Sequence, residues 1–319
     1  MKSAKDKSNN TPKRSPIFYL DGGAGRVLCS IPALEYYAMS NYDFHIITGY
    51  KREFFNHNTI LEKYTHHFDD PGLFDNIIKG GEIIKLEPYF RTEYYNQECS
   101  LTQAFDLEIN GDYCIGNKAP SIYFSSVENI DFEKNIQIIK ENNNAKDKPV
   151  LVFQPFGQAA QVFDDGIFDY TNRSFDMKNI LDLVQLLRKD YLIIWMGQLR
   201  LNISNHDNPI QYVDGMSLRE WAGYIKYADY FLGCDSVGQH LAKAVKTKAT
   251  VVIGSTYPIN ISYPNDDNFT IFDLGYERRV YEPIRITFDK EKSEVNKGIM
   301  KMDDKIVDLV VESIHKNTK

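Results

Sequence analysis

Apolar and polar positions follow one another along the chain in a pattern that predicts alternating strands and helices. "IFYL" (17–20) predicts a short buried strand and "DGGAG" (21–25) a turn. "RVLCSIPALEYYAMS" (26–40) has apolar residues at helical spacing, although Pro32 lies about two turns into it, where we expect a kink or a broken first turn. "DFHIIT" (43–48) predicts a second strand. Because strand, helix and strand follow in order, we expect a parallel sheet.

The chain then completes this first unit less regularly. "EIIKL" (82–86) is typical of a strand, "RTEYYNQECSLTQAFDLEI" (91–109) of a helix, and "APSIYFS" (119–125) of an extended segment. Another helix is expected over 126–144. The polar stretch 142–149, which contains a proline, breaks the pattern and predicts a linker between domains.

The alternation starts again after the linker. Asp176 is expected to cap one helix, and Ser217 with Glu220 three residues later fits a capping box on the next. The predicted strands lie at 150–157 (with a turn), 191–197, 229–234 and 249–254, and the predicted helices at 176–190, 217–228, 237–247 and 303–316.

These patterns indicate an α/β protein with two parallel sheets, one in each of two domains. Ligands of open α/β sheets bind at the carboxyl ends of the strands, so a cleft between the two domains is the expected site. The expected divisions are a disordered tail (1–15), an N-terminal domain (16–125), a linker helix and linker (126–149), a C-terminal domain (150–300) and a C-terminal helix (301–319).

Composition indicates an ordinary soluble globular protein. Hydrophobic residues make up 43% of the 319 residues and charged residues 25%, and the formal net charge is −7. This acidic balance argues against a general polyanion-binding surface but is compatible with a local basic patch. The basic tail is expected to be idle, and contact with an anionic acceptor is the alternative.

The cysteines and the N-terminal residues indicate the cellular compartment in which the protein is expected. No Cys-x-x-Cys pair is present and no His/Cys cluster has metal-ligand spacing, so no metal site is expected. The first sixteen residues lack the apolar run of a secretory signal, and no stretch approaches the roughly 20 apolar residues that span a bilayer. We therefore expect a reduced, cytoplasmic protein without a transmembrane segment, and a peripheral membrane contact stays open.

Glycines mark the first predicted strand–helix turn. Gly23 and Gly25 allow close backbone approach and leave N–H groups free at a helix N-terminus, which suits an anion. The dinucleotide fingerprint G-x-G-x-x-G is not met, because Leu28 stands at its third glycine. A plain tight turn explains these glycines equally well.

Polar residues follow a later strand, "FLGC". On position alone Asp235 and Ser236 are best explained as a helix N-cap, although one helix end can be capped and still bind phosphate. His240 lies four residues after Ser236, about one helical turn on, and can face the same side. A single histidine in a helix is more often structural than functional.

The next strand also ends in small polar residues. Gly254, Ser255 and Thr256 provide hydroxyls and amides at a neighbouring strand end, or else form a simple turn. Arg173, just before a predicted helix, is suited to bidentate contact with a phosphate, and a solvated surface arginine is the alternative.

The segment 215–258 resembles the signature region of glycosyltransferase family nine, the ADP-heptose:lipopolysaccharide heptosyltransferases. "DGGAGRVLCSIPAL" resembles the family's N-terminal Gly-x-Gly-Asp-x-Leu-x-x-x-Pro-x-Leu motif. "APSIYFSSVE" and the stretch from "VLVFQPFG" to "NRSFDMKNILDLVQLL" extend the similarity over most of residues 16–260. The residues that match the signature in order and spacing are Asp235, Ser236, His240, Ala242, Ala244, Gly254, Thr256 and Pro258.

This resemblance implies the GT-B fold, in which two Rossmann-like domains face a cleft, and a reaction without a catalytic metal or cofactor. It implies that the N-terminal domain (16–125) binds the acceptor and that the C-terminal domain (150–300) holds a nucleotide-diphospho-sugar. It also implies that Arg173 replaces a phosphate-binding lysine. The donor-site residues that it implies are Gly23, Gly25, Arg173, Asp235, Ser236, His240, Gly254, Ser255 and Thr256.

The chain departs from the family where the catalytic base is expected. That aspartate follows the second glycine of the N-terminal motif, and here the position is Arg26, which cannot act as a base at neutral pH. Asp21 is the nearest substitute carboxylate and is compatible with direct inversion. Arg26 is then expected to contact an anionic acceptor or the donor phosphate. Val237 also replaces the glycine after Asp-Ser, and "FQPFGQ" replaces a His-Pro-Gly turn.

The resemblance therefore implies a metal-independent, inverting glycosyltransferase. Its acceptor is a glycan, a protein or a modified nucleic acid, among which the sequence does not choose. The alternatives are a non-catalytic nucleotide-sugar-binding protein, suggested by the missing base, and a nucleotide-sugar epimerase of the same fold.

Overall fold

The computed structural model of this chain describes residues 14–49, 52–163, 166–197, 199, 211–213, 215–280 and 294–318. The predicted tail at 1–15 lies almost wholly outside the described residues, as does 281–293 within the predicted C-terminal domain.

The first half of the chain forms a parallel sheet with helices around it. Its strands are β1 (Pro16–Leu20), β2 (His45–Thr48), β3 (Thr65–His66) and β4 (Glu82–Lys85), and its helices are α1 (Ala24–Ala38), α2 (Thr92–Tyr95) and α3 (Leu101–Asn110). The strand order is β3-β2-β1-β4, with Phe18 of β1 opposite Ile46 on one side and Ile84 on the other. Successive strands are therefore added on one side of β1 up to β3 and on the other side at β4, so the strand order reverses between β1 and β4. The carboxyl ends of these two strands lead to residues 21 and 86.

Helix α4 (Ser126–Asn142) connects this sheet to a larger one. The remaining strands are β5 (Val150–Gln154), β6 (Ala160–Phe163), β7 (Gly166–Asp169), β8 (Leu192–Trp195), β9 (Gln211–Tyr212), β10 (Tyr230–Cys234), β11 (Ala249–Ile253) and β12 (Phe269–Asp273). The remaining helices are α5 (Met177–Leu187), α6 (Leu218–Tyr227), α7 (Val237–Val245), α8 (Pro258–Ile261) and α9 (Asp304–Thr318).

Six of these strands form the second parallel sheet, in the order β12-β11-β10-β5-β8-β9. Counted by position in the chain this is the doubly wound order 3-2-1-4-5-6. The winding reverses between β5 and β10, and the crevice outside their carboxyl ends is where ligands of such sheets bind. Gln154 ends β5 and Asp235 follows β10, so these two residues stand at the reversal point.

Burial of both faces explains why the strands of the second sheet are almost continuously apolar. Every residue of β5, β8, β10 and β11 is buried, as expected of a parallel sheet covered by helices on both sides. Helices α6 and α7 contribute to one apolar cluster, which also contains α1 and α3 of the first half. Helices α5 and α9 contribute to a second cluster on the opposite face.

Several predicted helix boundaries are confirmed by their caps. The side chain of Asp176 accepts a hydrogen bond from the N–H of Lys178 at the start of α5. Ser217 and Glu220 form a capping box on α6. These caps need only neighbouring residues, so the sequence is sufficient to predict them.

Other predictions were wrong in detail. The helix expected at 91–109 is two helices, because Gln97 has a positive φ of 60° and a second capping box starts α3 at Ser100. Helix α1 runs without interruption from Ala24 through Pro32 to Ala38, so its first turn is not broken at the proline. The hairpin of β6 and β7 and the edge strand β12 were not predicted.

Two buried polar side chains connect the second half to the first. Arg219 of α6 donates to the carbonyl oxygen of Glu53 at 3.1 Å and pairs with Glu128 of α4 at 2.6 Å. Asn260 of α8 donates to the carbonyl oxygens of Tyr94 and Cys99, each at 2.9 Å. Because an unpaired buried donor is costly, these bonds favour one arrangement of the two sheets.

In the part of the chain that the structure describes, no helix combines the length and the apolar character needed to cross a bilayer.

Replacing Glu128 with Gln tests the connection through Arg219. The hydrogen bond from Arg219 lowers the pKa of Glu128 to about 2, from an ordinary value of 4.5. The ionised carboxylate therefore stabilises the fold fully above pH 4.5, and this contribution is lost as the pH falls toward 2. We expect Glu128→Gln to lower the free energy of unfolding by about 1–2 kcal/mol at pH 7 in urea denaturation, and by progressively less below pH 4.5.

The matched control is Glu141→Gln, which breaks an ion pair with Lys146 whose side chains are 59% and 71% exposed. Exposed pairs contribute little, so we expect a change within about 0.5 kcal/mol. An equal loss in both variants, or a loss in Glu128→Gln that is the same at pH 7 and pH 3, would contradict this interpretation.

Candidate active site

Gln154, at the end of β5, organises the start of helix α7. Its Oε1 accepts from the N–H of Gly238 at 2.9 Å, and its Nε2 donates to Ser236 Oγ at 3.1 Å. Ser236 occupies the N-cap position, but its side chain makes no capping hydrogen bond. The expected side-chain cap by Asp235 or Ser236 is therefore wrong, because Gln154 from the neighbouring strand takes that role.

Asp235 is held in the interior beside the same helix. The residue is only 4% exposed. Its Oδ2 accepts from Thr256 Oγ1 at 2.8 Å and its Oδ1 from Gln239 Nε2 at 3.0 Å. Burial raises the pKa of this carboxyl, while the nearby Arg173 guanidinium and the two hydrogen bonds oppose that rise. The carboxylate thus links α7 to the turn after β11.

The loop between β7 and α5 presents Arg173 to this carboxylate. Asp169 shapes the loop, because it accepts hydrogen bonds from Thr171 N at 2.8 Å and from Ser174 N at 3.0 Å. Arg173 Nη1 lies 3.8 Å from Asp235 Oδ2, and the arginine side chain remains 26% exposed. Burial alone would lower the pKa of this guanidinium, but the Asp235 and Asp169 carboxylates outweigh it and the pKa is raised. The structure therefore provides a fixed cation at the reversal point of the second sheet.

The turn after β11 lies in the same cluster. Ser255 Oγ donates to the carbonyl oxygen of Thr171 at 2.7 Å, which ties this turn to the Arg173 loop. The carbonyl oxygen of Gly254 accepts from Arg279 Nε at 2.9 Å, and a methyl group at Gly254 would meet Met300 Sδ at 2.6 Å. The predicted residues of the second half are thus brought together, with Gln154 and Asp169 as members that sequence reasoning missed.

His240 connects this cluster to the first half of the chain. It is 6% exposed, and its Nδ1 lies 2.8 Å from the hydroxyl of Tyr263. Burial lowers the pKa of His240 to about 4, so the imidazole is neutral at physiological pH. A methyl group at Gly25 would lie 2.6 Å from His240 Cδ2 and 3.1 Å from Nε2, whereas one at Gly23 would meet nothing within 4 Å. Only glycine therefore lets the first turn of α1 approach the imidazole this closely.

A second, charged cluster lies where the first sheet reverses direction. The side chain of Arg26 is 1% exposed, and its Nη1 lies 2.9 Å from Asp21 Oδ1 and its Nη2 3.3 Å from Glu87 Oε2. The same guanidinium donates to the carbonyl oxygen of Leu86. Lys85 Nζ lies 3.7 Å from Asp21 Oδ2 and 3.2 Å from Glu87 Oε1. A ligand that contacts Arg26 would have to compete with these partners.

Glu108 of α3 adjoins this charged cluster. Its Oε1 accepts from the N–H of Glu87 at 2.7 Å. Burial raises the pKa of Glu108, although that hydrogen bond and the Arg26 charge oppose the rise. Glu87 follows directly after a predicted strand, which is a signal that the sequence offered and that was missed. Glu108 has no comparable signal, since its place depends on how α3 packs.

Solved structures share this fold at low sequence identity. No protein-family model matches the chain, and no curated protein matches it. A glycosyltransferase family 9 structure from Veillonella parvula aligns over 94% of this chain and 97% of its own, with a TM-score of 0.63 and 10% identity. The chain has the fold of this glycosyltransferase. The sequence-based resemblance is thereby confirmed at the level of the fold.

Two Escherichia coli enzymes give the same result. ADP-heptose LPS heptosyltransferase II aligns over 90% of this chain and 98% of its own, with a TM-score of 0.56 and 10% identity. Heptosyltransferase WaaC, solved with ADP, aligns over 95% and 99%, with a TM-score of 0.51 and 12% identity. All three similarities cover both sheets, so the α/β architecture with its two parallel sheets is that of the glycosyltransferase structures.

Among the residues that the structure describes, no group of three or more His, Cys, Asp or Glu side chains is placed to hold a metal ion.

Replacing Gly25 with Ala tests the close approach of α1 to His240. The added methyl must displace the imidazole or the helix, so we expect the free energy of unfolding to fall by about 1–3 kcal/mol. The matched control is Gly80→Ala, because a methyl there meets nothing within 4 Å. We expect that control to change stability by less than about 0.5 kcal/mol. Urea denaturation of both variants is the measurement, and equal stability of Gly25→Ala and the unmodified protein would count against the contact.

Proposed function

We propose that this protein is a glycosyltransferase with the GT-B arrangement, in which two Rossmann-like domains face a cleft. It transfers a sugar from a nucleotide-diphospho-sugar to an acceptor hydroxyl. The observation that supports this most strongly is the fixed cation Arg173, which stands with buried Asp235 at the reversal point of a doubly wound sheet. Phosphate groups bind at such points, where helix N-termini and cationic side chains converge.

The donor diphosphate is proposed to lie against Arg173 and the first turn of α7. Asp235 is the organising group there, since its oxygens already accept hydrogen bonds from Thr256 and Gln239. Ser236 and Ser255 line the same region, and Gly25 and His240 bring the first turn of α1 toward it. The positive ends of two helices and one guanidinium then offset the charge of the leaving diphosphate without requiring a metal.

The reaction is proposed to be a single displacement. The acceptor oxygen forms a bond to the anomeric carbon while the bond from that carbon to the β-phosphate oxygen breaks. The nucleoside diphosphate leaves with the electron pair, the acceptor proton passes to a carboxylate, and the anomeric configuration inverts. The proposal includes the metal independence, the inverting course and the cytoplasmic location expected from the sequence.

Asp21 is the proposed base. Its side chain is 32% exposed, against 19% for Glu87, so it is the more accessible of the two carboxylates that pair with Arg26. In this proposal the contact of Arg26 with Asp21, at 2.9 Å, holds the carboxylate in place. Lys85, 56% exposed and 3.7 Å from Asp21, suits an acceptor that bears negative charge. A glycan, a protein and a modified nucleic acid all remain candidate acceptors.

Replacing Arg173 with Ala tests the donor site. Loss of a charge-assisted contact with phosphate is worth about 1.5–3 kcal/mol, so we expect affinity for the bound nucleoside diphosphate to fall by about 10- to 100-fold. Isothermal titration with ADP, GDP, UDP and CDP measures this. The control is Arg52→Ala, which removes a 47% exposed arginine of the first half and should leave affinity unchanged. Equal affinities of the Arg173→Ala variant and the unmodified protein would place the diphosphate elsewhere.

Replacing Asp21 with Asn tests the base. Removal of a general base lowers turnover by about 10²- to 10⁴-fold, whereas donor affinity should stay within about twofold. Glu87→Gln is the comparison variant, and we expect a smaller loss from it. Sugar transfer across an acceptor panel, with and without chelator, is the assay. A larger loss in Glu87→Gln would assign the base to Glu87, and donor binding with no turnover would favour the non-catalytic alternative.

A further inference from the structure

Tyr263 and Cys29 both contact His240, and the proposed reaction uses neither of them. The Tyr263 hydroxyl lies 2.8 Å from His240 Nδ1, and the two rings meet edge to face at a centroid distance of 5.8 Å. Cys29 Sγ lies 3.5 Å from the same nitrogen, on the side of α1. Cys29 belongs to α1 of the first half, and Tyr263 follows α8 of the second half. His240 therefore contacts residues from both halves.

All three groups keep their ordinary neutral forms at physiological pH. Burial lowers the pKa of His240 to about 4, and burial raises the pKa of the Tyr263 phenol well above its usual range. Burial also raises the pKa of the Cys29 thiol to about 12, although hydrogen bonds from Thr102 and Tyr263 oppose that rise. His240 therefore bears a single N–H, on either Nδ1 or Nε2.

The contact with Tyr263 bears on which nitrogen holds that proton. The phenol has one proton to donate, and its two possible acceptors are the imidazole Nδ1 and the thiol sulfur. An imidazole nitrogen is the stronger acceptor, since a thiol sulfur accepts only weakly. This difference favours donation from Tyr263 to Nδ1, which leaves the imidazole proton on Nε2.

Nε2 points at the first turn of helix α1. A methyl group at Gly25 would lie only 3.1 Å from it. Within the part of the chain that the structure describes, Nε2 makes no hydrogen bond, although the residue is 6% exposed. The N-cap of α1 is Gly23, which has no side chain to accept from the amides of that turn. A histidine N–H without a protein partner and the uncapped amides of α1 thus lie close together, which suits an anion.

We propose that Tyr263 is a positioning residue that holds His240 as the Nε2–H tautomer, so that Nε2–H donates to a phosphate oxygen of the donor at the first turn of α1. This rests on the proposed function for the identity of the anion. The assignment of the tautomer rests only on the free protein. Neutral His240 then supplies a fixed donor without adding a charge, and Cys29 supports Tyr263 from behind.

The tautomer is measured directly on the full chain, labelled with ¹⁵N-histidine, by long-range ¹H–¹⁵N correlation spectra at pH 7. We expect His240 to show a protonated Nε2 and an unprotonated Nδ1. Addition of ADP, or of inorganic pyrophosphate, should shift the Nε2 signal and leave Nδ1 nearly unchanged. A proton on Nδ1, or a doubly protonated ring, in the free protein would overturn the proposal.

Tyr263→Phe removes the hydroxyl and keeps the ring. We expect His240 to become a mixture of tautomers and ADP affinity to fall by about tenfold, the loss of one hydrogen bond to a charged group. Tyr191→Phe is the matched control, because it removes another tyrosine hydroxyl that contacts a histidine, His315, at 3.3 Å. That variant should change neither the His240 spectrum nor the affinity.

The possible failures are distinguishable. If neither ADP nor pyrophosphate binds the unmodified protein, the proposed function and the phosphate contact fail together, whatever the tautomer is. If ADP binds, but Tyr263→Phe alters neither the tautomer nor the affinity, the role of Tyr263 is wrong while the proposed function stands. If Tyr263→Phe does not fold, the spectrum and the ADP shift of the unmodified protein still decide the assignment.

Discussion

The close packing of helix α1 against helix α7 is the constraint on which the proposed site depends. Gly25 and His240 meet there, and no larger residue fits at position 25 without displacing the imidazole. The contact joins the first turn of the first crossover helix to the helix that follows the central reversal of the second sheet. It therefore places two helix N-termini, each from a separate parallel sheet, on the same side of the molecule. A ligand with clustered negative charge is the chemistry that such an arrangement favours.

Buried polar groups keep that arrangement in one geometry. Asp235 is nearly inaccessible, yet each of its oxygens accepts a hydrogen bond, and Gln154 on the adjacent strand accepts from the Gly238 N–H at the start of α7. On the other sheet, Arg26 is enclosed by Asp21 and Glu87. Such groups are costly to bury and costlier to leave half-paired, so they restrict the conformations open to the chain. The two clusters differ in which charge is accessible. Arg173 is partly exposed beside the buried carboxylate of Asp235, whereas Asp21 and Glu87 are partly exposed around the buried guanidinium of Arg26.

Features formed by neighbouring residues could be predicted from the sequence, and features formed by residues far apart in the chain could not. The strand–helix alternation and the caps at Asp176 and Ser217 depend on neighbouring residues and were predicted correctly. The β6–β7 hairpin was missed although "VFDDGIF" has an Asp-Gly pair between apolar residues, which is a hairpin signal. The role of Gln154 could not be predicted, because its partners are more than 80 residues away in the chain. Arg26 shows the same limit: its type excluded a base, but its enclosure by carboxylates needed the fold.

In the proposed complex, one nucleotide-sugar contacts helix N-termini from both sheets. Hydrogen–deuterium exchange, recorded with and without ADP-, GDP- and UDP-sugars, is the decisive measurement. We expect one of these ligands to slow amide exchange at both residues 23–27 and residues 236–239. Protection confined to one of these segments, or none with any of the sugars, would contradict it.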